Sequence, residues 1–218
     1  MKYKLVIFDL DGTLVDTIGD LGAAANEALR AHGLPPHTPD EYRGMVGNGV
    51  RKLVKRAMPE PLRGDERLLD ALLEVFLDYY LQHIDDRSQP YPGIPELFAD
   101  LHGRDVRLAV ASNKFQAGTE RLIGRMFPQI PFAAVCGGLP ERALKPDPAV
   151  VRDIWACTGL QAEHTVMVGD SGTDIATAAA AGIPSVAVAW GFRPKEALTD
   201  AGFLAESVAQ LRSILLSE

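Results

Sequence analysis

The first apolar stretch of the chain is a short, continuous run at residues 5–8, Leu-Val-Ile-Phe. Such a run, rich in β-branched residues, predicts a strand that is covered on both faces, as strands in parallel sheets are. From residue 91 onward, further apolar runs alternate with helical periodicity, at residues 106–111, 132–135, 165–168 and 184–189. Strands that alternate with helices predict an α/β fold, with a parallel sheet, right-handed crossovers and helices on both faces.

The segment between the first two predicted strands has a different pattern. Residues 17–86 carry apolar residues at helical spacing and contain no strand pattern. The clearest apolar stripe in this segment consists of Leu69, Leu72, Leu73, Phe76 and Tyr80. We therefore expect an all-helical insertion at residues 17–86, and an α/β core domain built from residues 1–16 and 87–218.

Composition limits the possible partners of the chain. Its 218 residues are 47% hydrophobic, and its net charge is −7 at pH 7, so no basic stripe is available to bind nucleic acid. The N-terminus shows no signal-peptide pattern, and no apolar run approaches the roughly 20 residues that span a bilayer. Cys136 and Cys157 have neither metal-ligand spacing nor a disulfide pattern. We expect a cytoplasmic monomer or homodimer with neither nucleic-acid nor membrane partners.

Polar residues follow the predicted strands at the points where the strands end. They are Asp9 and Asp11 after the first strand, Ser112 and Asn113 after the second, and Asp170 and Asp174 after the fourth, with Lys145 preceding the helix that leads into the fourth. Ligands of open parallel sheets bind beyond the carboxyl ends of the strands. Because neighbouring buried carboxylates repel each other, such a group is tolerated mainly where a cation or a reaction requires it. We therefore expect these residues to converge on one rim of the sheet.

This set of side chains suits phosphoryl chemistry. Clustered carboxylates without nearby His or Cys favour a hard cation such as Mg²⁺, and a metal beside a lysine suits a phosphate dianion. The hydroxyls of Thr13 and Ser112 can donate hydrogen bonds to phosphoryl oxygens. One carboxylate can attack phosphorus to form an aspartyl phosphate, and a second, two residues on, can protonate the leaving oxygen and later activate water.

Four motifs in this order resemble those of the haloacid dehalogenase-like superfamily. Residues 9–17, Asp-Leu-Asp-Gly-Thr-Leu-Val-Asp-Thr, resemble its first motif, and Ser112-Asn113 its second. Residues 145–148, Lys-Pro-Asp-Pro, resemble the third, and residues 169–174 the fourth. The resemblance covers essentially the whole chain. It implies a Rossmann-like, doubly wound sheet with the strand order 5-4-1-2-3 and a helical cap inserted after the first strand.

The resemblance also implies a role for each acidic residue and for the lysine. Asp9 would be the nucleophile and a metal ligand, and Asp11 would be the general acid/base, with its backbone carbonyl on Mg²⁺. Lys145 would hold the nucleophile and the phosphate together. Asp170 would ligate the metal, and Asp174 would position the metal directly or through water.

Further residues would bind the substrate or link the cap to the core. By the same resemblance, Ser112 would bind the transferred phosphoryl group, with Asn113 beside it. Asp16 and Thr17 fall at the first cap hinge of the family, where a structural role is expected.

The cap is expected to select the substrate. Gly47-Asn48-Gly49 resembles the cap loop of phosphoglycolate phosphatases, and glycines before a helix allow close approach to an anion. Gly47 and Asn48 are therefore candidate substrate-binding residues, and residues 51–52, Arg-Lys, could add positive charge. The substrate would be a small phosphorylated metabolite, such as 2-phosphoglycolate.

Three alternatives to a Mg²⁺-dependent phosphatase come from the same fold. A sugar phosphomutase usually carries a His in the first cap hinge, and residues 18–21 contain none. A haloacid dehalogenase lacks the second carboxylate of the first motif, which Asp11 supplies here. A non-catalytic binding module is the third alternative, and the retention of every polar motif residue argues against it.

Overall fold

The computed structural model describes residues 2–217. Within this range the strands are β1 (Leu5–Phe8), β2 (Val15–Asp16), β3 (Gln89–Pro90), β4 (Arg107–Phe115), β5 (Ala134–Gly138), β6 (Thr165–Gly169), β7 (Ser185–Val188) and β8 (Phe203–Ala205). The α-helices are α1 (Ile18–Ala31), α2 (Pro39–Met45), α3 (Val50–Ala57), α4 (Glu66–Gln82), α5 (Ile94–His102), α6 (Gln116–Met126), α7 (Ala149–Thr158), α8 (Gly172–Ala181) and α9 (Val208–Leu215). None of these helices in residues 2–217 combines the length and the apolar character that crossing a membrane requires.

The described residues form one parallel sheet of six strands in the order β5-β4-β1-β6-β7-β8. β1 is central, pairs with β4 and β6, and is fully buried, as its apolar run predicts. The five predicted strands hold the expected order 5-4-1-2-3, so the α/β, doubly wound fold class is confirmed. β8 was not predicted, because a three-residue strand is too short to show a pattern of its own. The helical pattern of residues 194–200 predicts a helix, but this segment contains a short 3₁₀ turn, Lys195–Ala197.

β4 extends further than its apolar run indicates. The run ends at residue 111, whereas the strand continues to Phe115 and includes Ser112, Asn113 and Lys114. Its register with β5 shifts between Ala111 and Phe115. An irregularity of this kind interrupts the alternation of side chains between the two faces of the sheet, and it is common next to active sites. The polar end of β4 is therefore part of the sheet's carboxyl rim.

Helices α1 to α4 all lie between β2 and β3, as the periodicity of residues 17–86 predicts. The stripe of α4 is buried at Leu69, Leu72, Phe76 and Tyr80, and α4 packs mainly on α1 and α3. Burying these side chains from water stabilises the helices, because most of the stability of a helix in a protein comes from the packing of its apolar face. The domain boundaries near residues 16 and 87 stay a prediction.

The chain passes between the helical segment and the sheet at a short antiparallel ribbon. In this ribbon Val15 of β2 pairs with Pro90 of β3, and Asp16 pairs with Gln89. The buried carboxylate of Asp20 in α1 accepts hydrogen bonds from the backbone N–H of Arg87, at 3.0 and 3.1 Å.

The same carboxylate also accepts hydrogen bonds from the N–H and the hydroxyl of Ser88, at 2.8 and 2.7 Å. Because a buried carboxylate is stable only when it is hydrogen-bonded, Asp20 ties the outgoing chain to the returning chain.

Candidate active site

Three carboxylates and one ammonium group meet at the carboxyl rim of the sheet. Asp9 follows β1, Asp170 follows β6, and Asp174 lies in the first turn of α8. Each places a carboxylate oxygen within 4.8 Å of the other two. Lys145 Nζ donates hydrogen bonds to Asp9 Oδ1 at 2.8 Å and to Asp174 Oδ1 at 2.6 Å. All four residues are buried, so the predicted convergence of these residues is present in the structure.

The charges of this cluster are not balanced by Lys145 alone. Burial raises the pKa of Asp9 well above its ordinary value, and the charges of Asp174 and Asp170 raise it further against the opposing effect of Lys145. Burial, followed by the charge of Asp174, raises the pKa of Asp170 to about 7. The ionised cluster therefore favours additional positive charge. Buried oxygen donors at this separation fit a hard divalent cation such as Mg²⁺.

Hydrogen bonds hold the two carboxylates of the fourth motif, Asp170 and Asp174, in place. Ser171 donates hydrogen bonds from its N–H and its hydroxyl to Asp174 Oδ2, at 3.1 and 2.6 Å, in a capping box at the start of α8. Asp170 Oδ2 accepts a hydrogen bond of 2.7 Å from the N–H of Phe192. A side chain on Gly191 would overlap Cβ of Asp170, so the loop that supplies the Phe192 N–H requires glycine there.

Asp11 faces a different set of partners from the other carboxylates. Its Oδ1 accepts hydrogen bonds from Thr17 Oγ1 and from Lys114 Nζ, each at 2.7 Å. The side chain of Lys114 is only 3% exposed, and its ammonium group lies 4.8 Å from the ring centroid of Tyr80. Burial by itself lowers the pKa of Lys114, but Asp11 and Tyr80 raise that pKa on balance, so the ammonium form is retained. Both donors to Asp11 use Oδ1, which leaves Oδ2 for another group.

Asn113 fixes the backbone that carries Lys145. Asn113 Oδ1 accepts a hydrogen bond of 2.8 Å from the N–H of Lys145, and Nδ2 donates one of 3.0 Å to its carbonyl. Ser112 lines the cavity beside Asn113, and its Oγ accepts a hydrogen bond of 3.1 Å from the N–H of Lys114. The second motif therefore positions the third one as well as lining the cavity.

The loop between α2 and α3 lies against the carboxyl rim and encloses the cavity. Asn113 Nδ2 donates a hydrogen bond of 3.3 Å to the carbonyl of Gly47. The guanidinium group of Arg193 donates to the carbonyls of Arg43 and Val46 at the end of α2. Gly47 and Gly49 both line the cavity. The cavity is thus bounded by the sheet rim on one side and by the helical segment on the other.

Comparison with known sequences identifies the family of this site. Residues 6–188 match the sequence model of the haloacid dehalogenase-like hydrolases. The chain belongs to this family. The four motifs all lie within the matched residues, and the roles that the resemblance implies for their side chains stay predictions.

Relatives and a solved structure narrow the class of this hydrolase. It is 39% identical to a phosphoglycolate phosphatase of Mesorhizobium japonicum over 193 residues, which cover 88% of this chain and 85% of that relative. It is 35% identical over 217 residues to a phosphoglycolate phosphatase of Chromobacterium violaceum, covering 97% and 96% of the two chains.

A crystal structure of a candidate phosphoglycolate phosphatase from Lactobacillus delbrueckii subsp. bulgaricus has a TM-score of 0.93 with this hydrolase. The two chains are 31% identical, and the match covers 100% of each. The family match and these relatives identify the hydrolase as a phosphatase.

Some predicted site residues of the phosphatase do not face the cavity. Of the residues that the structure describes, Thr13 and Asn48 are not among those that line it. Thr13 is fully buried, and its hydroxyl has no hydrogen-bond partner among residues 2–217. Asn48 accepts a hydrogen bond of 2.8 Å from Arg56 within the helical segment. Arg51 does not add charge to the cavity, because it forms ion pairs with Glu66 and Asp70 instead.

Sequence reasoning missed several residues that the structure places at the cavity. Lys114, Tyr80, Phe192 and Arg193 all line the cavity, yet none of them was a candidate site residue. A signal existed for Lys114, since it directly follows Ser112-Asn113 of the second motif. Tyr80 was predicted only as part of a buried stripe, and that pattern does not reveal where its hydroxyl points.

Proposed function

We propose that this phosphatase hydrolyses 2-phosphoglycolate, or a similar small phosphate monoester, through an aspartyl-phosphate intermediate and with Mg²⁺. The names of its relatives support the substrate class. The observation that carries the proposal is the placement of Asp9, whose Oδ1 accepts a hydrogen bond from Lys145 within the carboxylate cluster. A carboxylate held between a lysine and other carboxylates is suited to attack a phosphoryl group whose charge is neutralised.

Asp9, Asp170 and Asp174 would hold the Mg²⁺ ion, together with the backbone carbonyl of Asp11. Their oxygen donors match the preference of this cation. The raised pKa values of Asp9 and Asp170 support a site that favours more positive charge. When bound, the ion would neutralise charge on the carboxylates and on the phosphoryl oxygens.

Asp9 and Asp11 would divide the chemistry between them. A carboxylate oxygen of Asp9 forms a bond to phosphorus while the bond from phosphorus to the ester oxygen breaks. Asp11 gives its proton to that leaving oxygen, and then takes a proton from the water that attacks the phosphoryl-Asp9 intermediate. Because Thr17 and Lys114 both donate to Oδ1 of Asp11, Oδ2 is free to carry the transferred proton.

The other polar residues would hold the reacting groups in place. Lys145 keeps Asp9 oriented and offers positive charge beside it, and Asn113 fixes the backbone of Lys145. Ser112 lines the cavity and would donate its hydroxyl proton in a hydrogen bond to a phosphoryl oxygen. The enclosing loop near Gly47 would keep bulk water away from the intermediate.

A panel of phosphate monoesters, assayed with and without Mg²⁺, tests the proposal. We expect Mg²⁺-dependent release of inorganic phosphate, with 2-phosphoglycolate among the best substrates. Asp9→Asn should retain the fold but lower kcat by at least about 1,000-fold, because an amide oxygen is a far poorer nucleophile. Asp200→Asn, at an exposed position away from the cavity, is the matched control and should keep the wild-type rate.

Two results would contradict the proposal. Unchanged turnover by Asp9→Asn would exclude Asp9 as the nucleophile. Transfer of the phosphoryl group to a second sugar hydroxyl, without net phosphate release, would favour the phosphomutase alternative.

A further inference from the structure

We infer that Lys114 and Tyr80 form the subsite for the leaving group and that this subsite selects esters whose alcohol carries a carboxylate. The inference rests on the proposed function and assigns its specificity to two residues, one on β4 and one on α4. Both residues line the cavity, and both are buried.

The position of Lys114 follows from its contact with Asp11. A general acid must lie within about 2.6–3.2 Å of the ester oxygen that it protonates. Lys114 Nζ is 2.7 Å from Asp11 Oδ1, so the ammonium group adjoins the place where the leaving oxygen must be. In 2-phosphoglycolate a single carbon separates that oxygen from the carboxylate. The carboxylate of such a substrate is therefore within hydrogen-bonding reach of Lys114.

Lys114 also has hydrogen-bonding capacity to spare. An ammonium group has three N–H donors, and Lys114 Nζ uses one of them for the 2.7 Å hydrogen bond to Asp11 Oδ1. Even with the Tyr80 oxygen beside Lys114 as a second acceptor, one N–H donor is left for a ligand. Lys145 differs, because it already donates hydrogen bonds to two carboxylates, those of Asp9 and Asp174. A buried ammonium group with unused donors stabilises an anionic group beside it more strongly than an exposed lysine would.

Tyr80 supplies an independent observation. Its hydroxyl is buried, and the hydroxyl proton has no acceptor in the described part of the chain. An unpaired buried hydroxyl costs free energy, which a ligand atom would recover by accepting its hydrogen bond. Since Lys114 lies over the ring of Tyr80, both donors belong to the same small region of the cavity.

The rest of the helical wall offers no competing charge. The α1, α3 and α4 side chains that face the cavity beside Tyr80 are apolar, and they are Leu21, Val50, Leu53 and Phe76. Arg51 is paired with Glu66 and Asp70, away from the cavity. Arg193 lines the cavity but donates to backbone carbonyls of the enclosing loop. Lys114 is therefore the cation best placed for the leaving group.

A comparison of two esters tests this assignment. The esters are 2-phosphoglycolate and 2-hydroxyethyl phosphate, which has a neutral CH₂OH group in place of the carboxylate, and the readout is the ratio of their kcat/KM values. Lys114→Met should lower the ratio about 10- to 100-fold, because it removes a hydrogen bond between charged groups. Tyr80→Phe should lower it about 2- to 10-fold. Lys52→Met, at an exposed position of α3, is the matched control and should leave the ratio unchanged.

The ratio separates selectivity from a general effect on catalysis. If Lys114 acts only by orienting Asp11, Lys114→Met slows both esters equally, and the unchanged ratio overturns the inference. The inference is also overturned if Arg193→Met lowers the ratio of the two kcat/KM values and Lys114→Met does not. If Lys114→Met does not fold, Tyr80→Phe decides, because it deletes one hydroxyl and keeps the packing of the ring.

Failure of the inference can be told apart from failure of the proposed function. A wild-type enzyme that releases phosphate from both esters at equal kcat/KM remains a phosphatase but has no carboxylate subsite. A wild-type enzyme that releases phosphate from neither ester with Mg²⁺, and from no other monoester, contradicts the proposed function itself.

Discussion

At the scale of single residues, the site is a set of buried charges that are only partly compensated. Lys145 donates to Asp9 and Asp174, whereas Asp170 accepts from a backbone N–H and has no lysine partner among the described residues. Burial and the neighbouring charge of Asp174 raise the pKa of Asp170 to about 7. The protonation state of Asp170 should therefore decide how readily the cluster accepts a cation.

The affinity for Mg²⁺ should depend on pH in a defined direction. In the metal-free protein the pKa of Asp170 is about 7, above its ordinary value of 3.8, so the folded chain retains a proton that the unfolded chain loses near pH 4. The stability contributed by this proton is present at low pH and is lost as the pH rises through about 7. Because Mg²⁺ binds the ionised form, its affinity should rise about tenfold between pH 6 and pH 8.

Calorimetric titration of the metal-free protein with Mg²⁺ measures this effect. In buffers of different ionisation enthalpy near pH 6.5, binding should release protons, and Asp200→Asn should behave as the wild type does. Affinity that is independent of pH, with no proton release, would show that the carboxylates are already ionised.

At the scale of secondary-structure elements, the ribbon of β2 and β3 joins the helical segment to the sheet. Asp20 of α1 accepts hydrogen bonds from Arg87 and Ser88 on the returning chain, next to this ribbon. Its side chain is 0% exposed, so these donors replace the hydrogen bonds that water would otherwise give to the carboxylate. We regard Asp20 as the residue that fixes how α1 leaves the ribbon.

Substitution of Asp20 should destabilise the protein. In Asp20→Asn an amide NH₂ would face donors that now point at a carboxylate oxygen, which leaves buried N–H groups unsatisfied. We expect the free energy of unfolding to fall by about 2–3 kcal/mol, measured by urea denaturation. Asp78→Asn, at an exposed position of α4, is the control and should change it by less than about 0.5 kcal/mol. An equally small change for Asp20→Asn would contradict the role of this residue.

The elements differ in how far the sequence could predict them. β1 was predictable because its apolar run is continuous, and the stripe of α4 because buried positions repeat at helical spacing. The end of β4 was not, because Ser112, Asn113 and Lys114 are polar residues within a strand. β8 forms only where β7 offers it an edge, which is a tertiary effect that local patterns do not carry.

The residues of the candidate site also differ in how far the sequence could predict them. Asp9, Asp170, Asp174 and Lys145 were predictable because each stands in a local motif at a strand end or a helix start. Tyr80 was not, since its place beside Lys114 depends on how α4 packs over the sheet. The sequence therefore located the groups that we propose to react better than the groups that we infer to select the leaving alcohol.

At the scale of the whole molecule, the cavity lies where the helical segment meets the carboxyl rim of the sheet. The chain has a net charge of −7, yet Lys114, Lys145 and Arg193 all line this cavity. Four carboxylates line it as well, those of Asp9, Asp11, Asp170 and Asp174, so the cavity would suit a small anionic substrate once a divalent cation adds its charge. Contacts of the enclosing loop with Asn113 and Arg193 hold the cavity closed in this structure.

The central claim is that Asp9 accepts the phosphoryl group, and rapid acid quenching followed by peptide mass spectrometry tests it most directly. The enzyme is mixed with 2-phosphoglycolate and Mg²⁺, and its peptides are searched for a phosphoryl group during turnover. We predict an acid-stable, base-labile phosphoryl group on Asp9 that is absent from Asp9→Asn. A phosphoryl group on any other residue, or phosphate release by Asp9→Asn at the wild-type rate, would contradict the account.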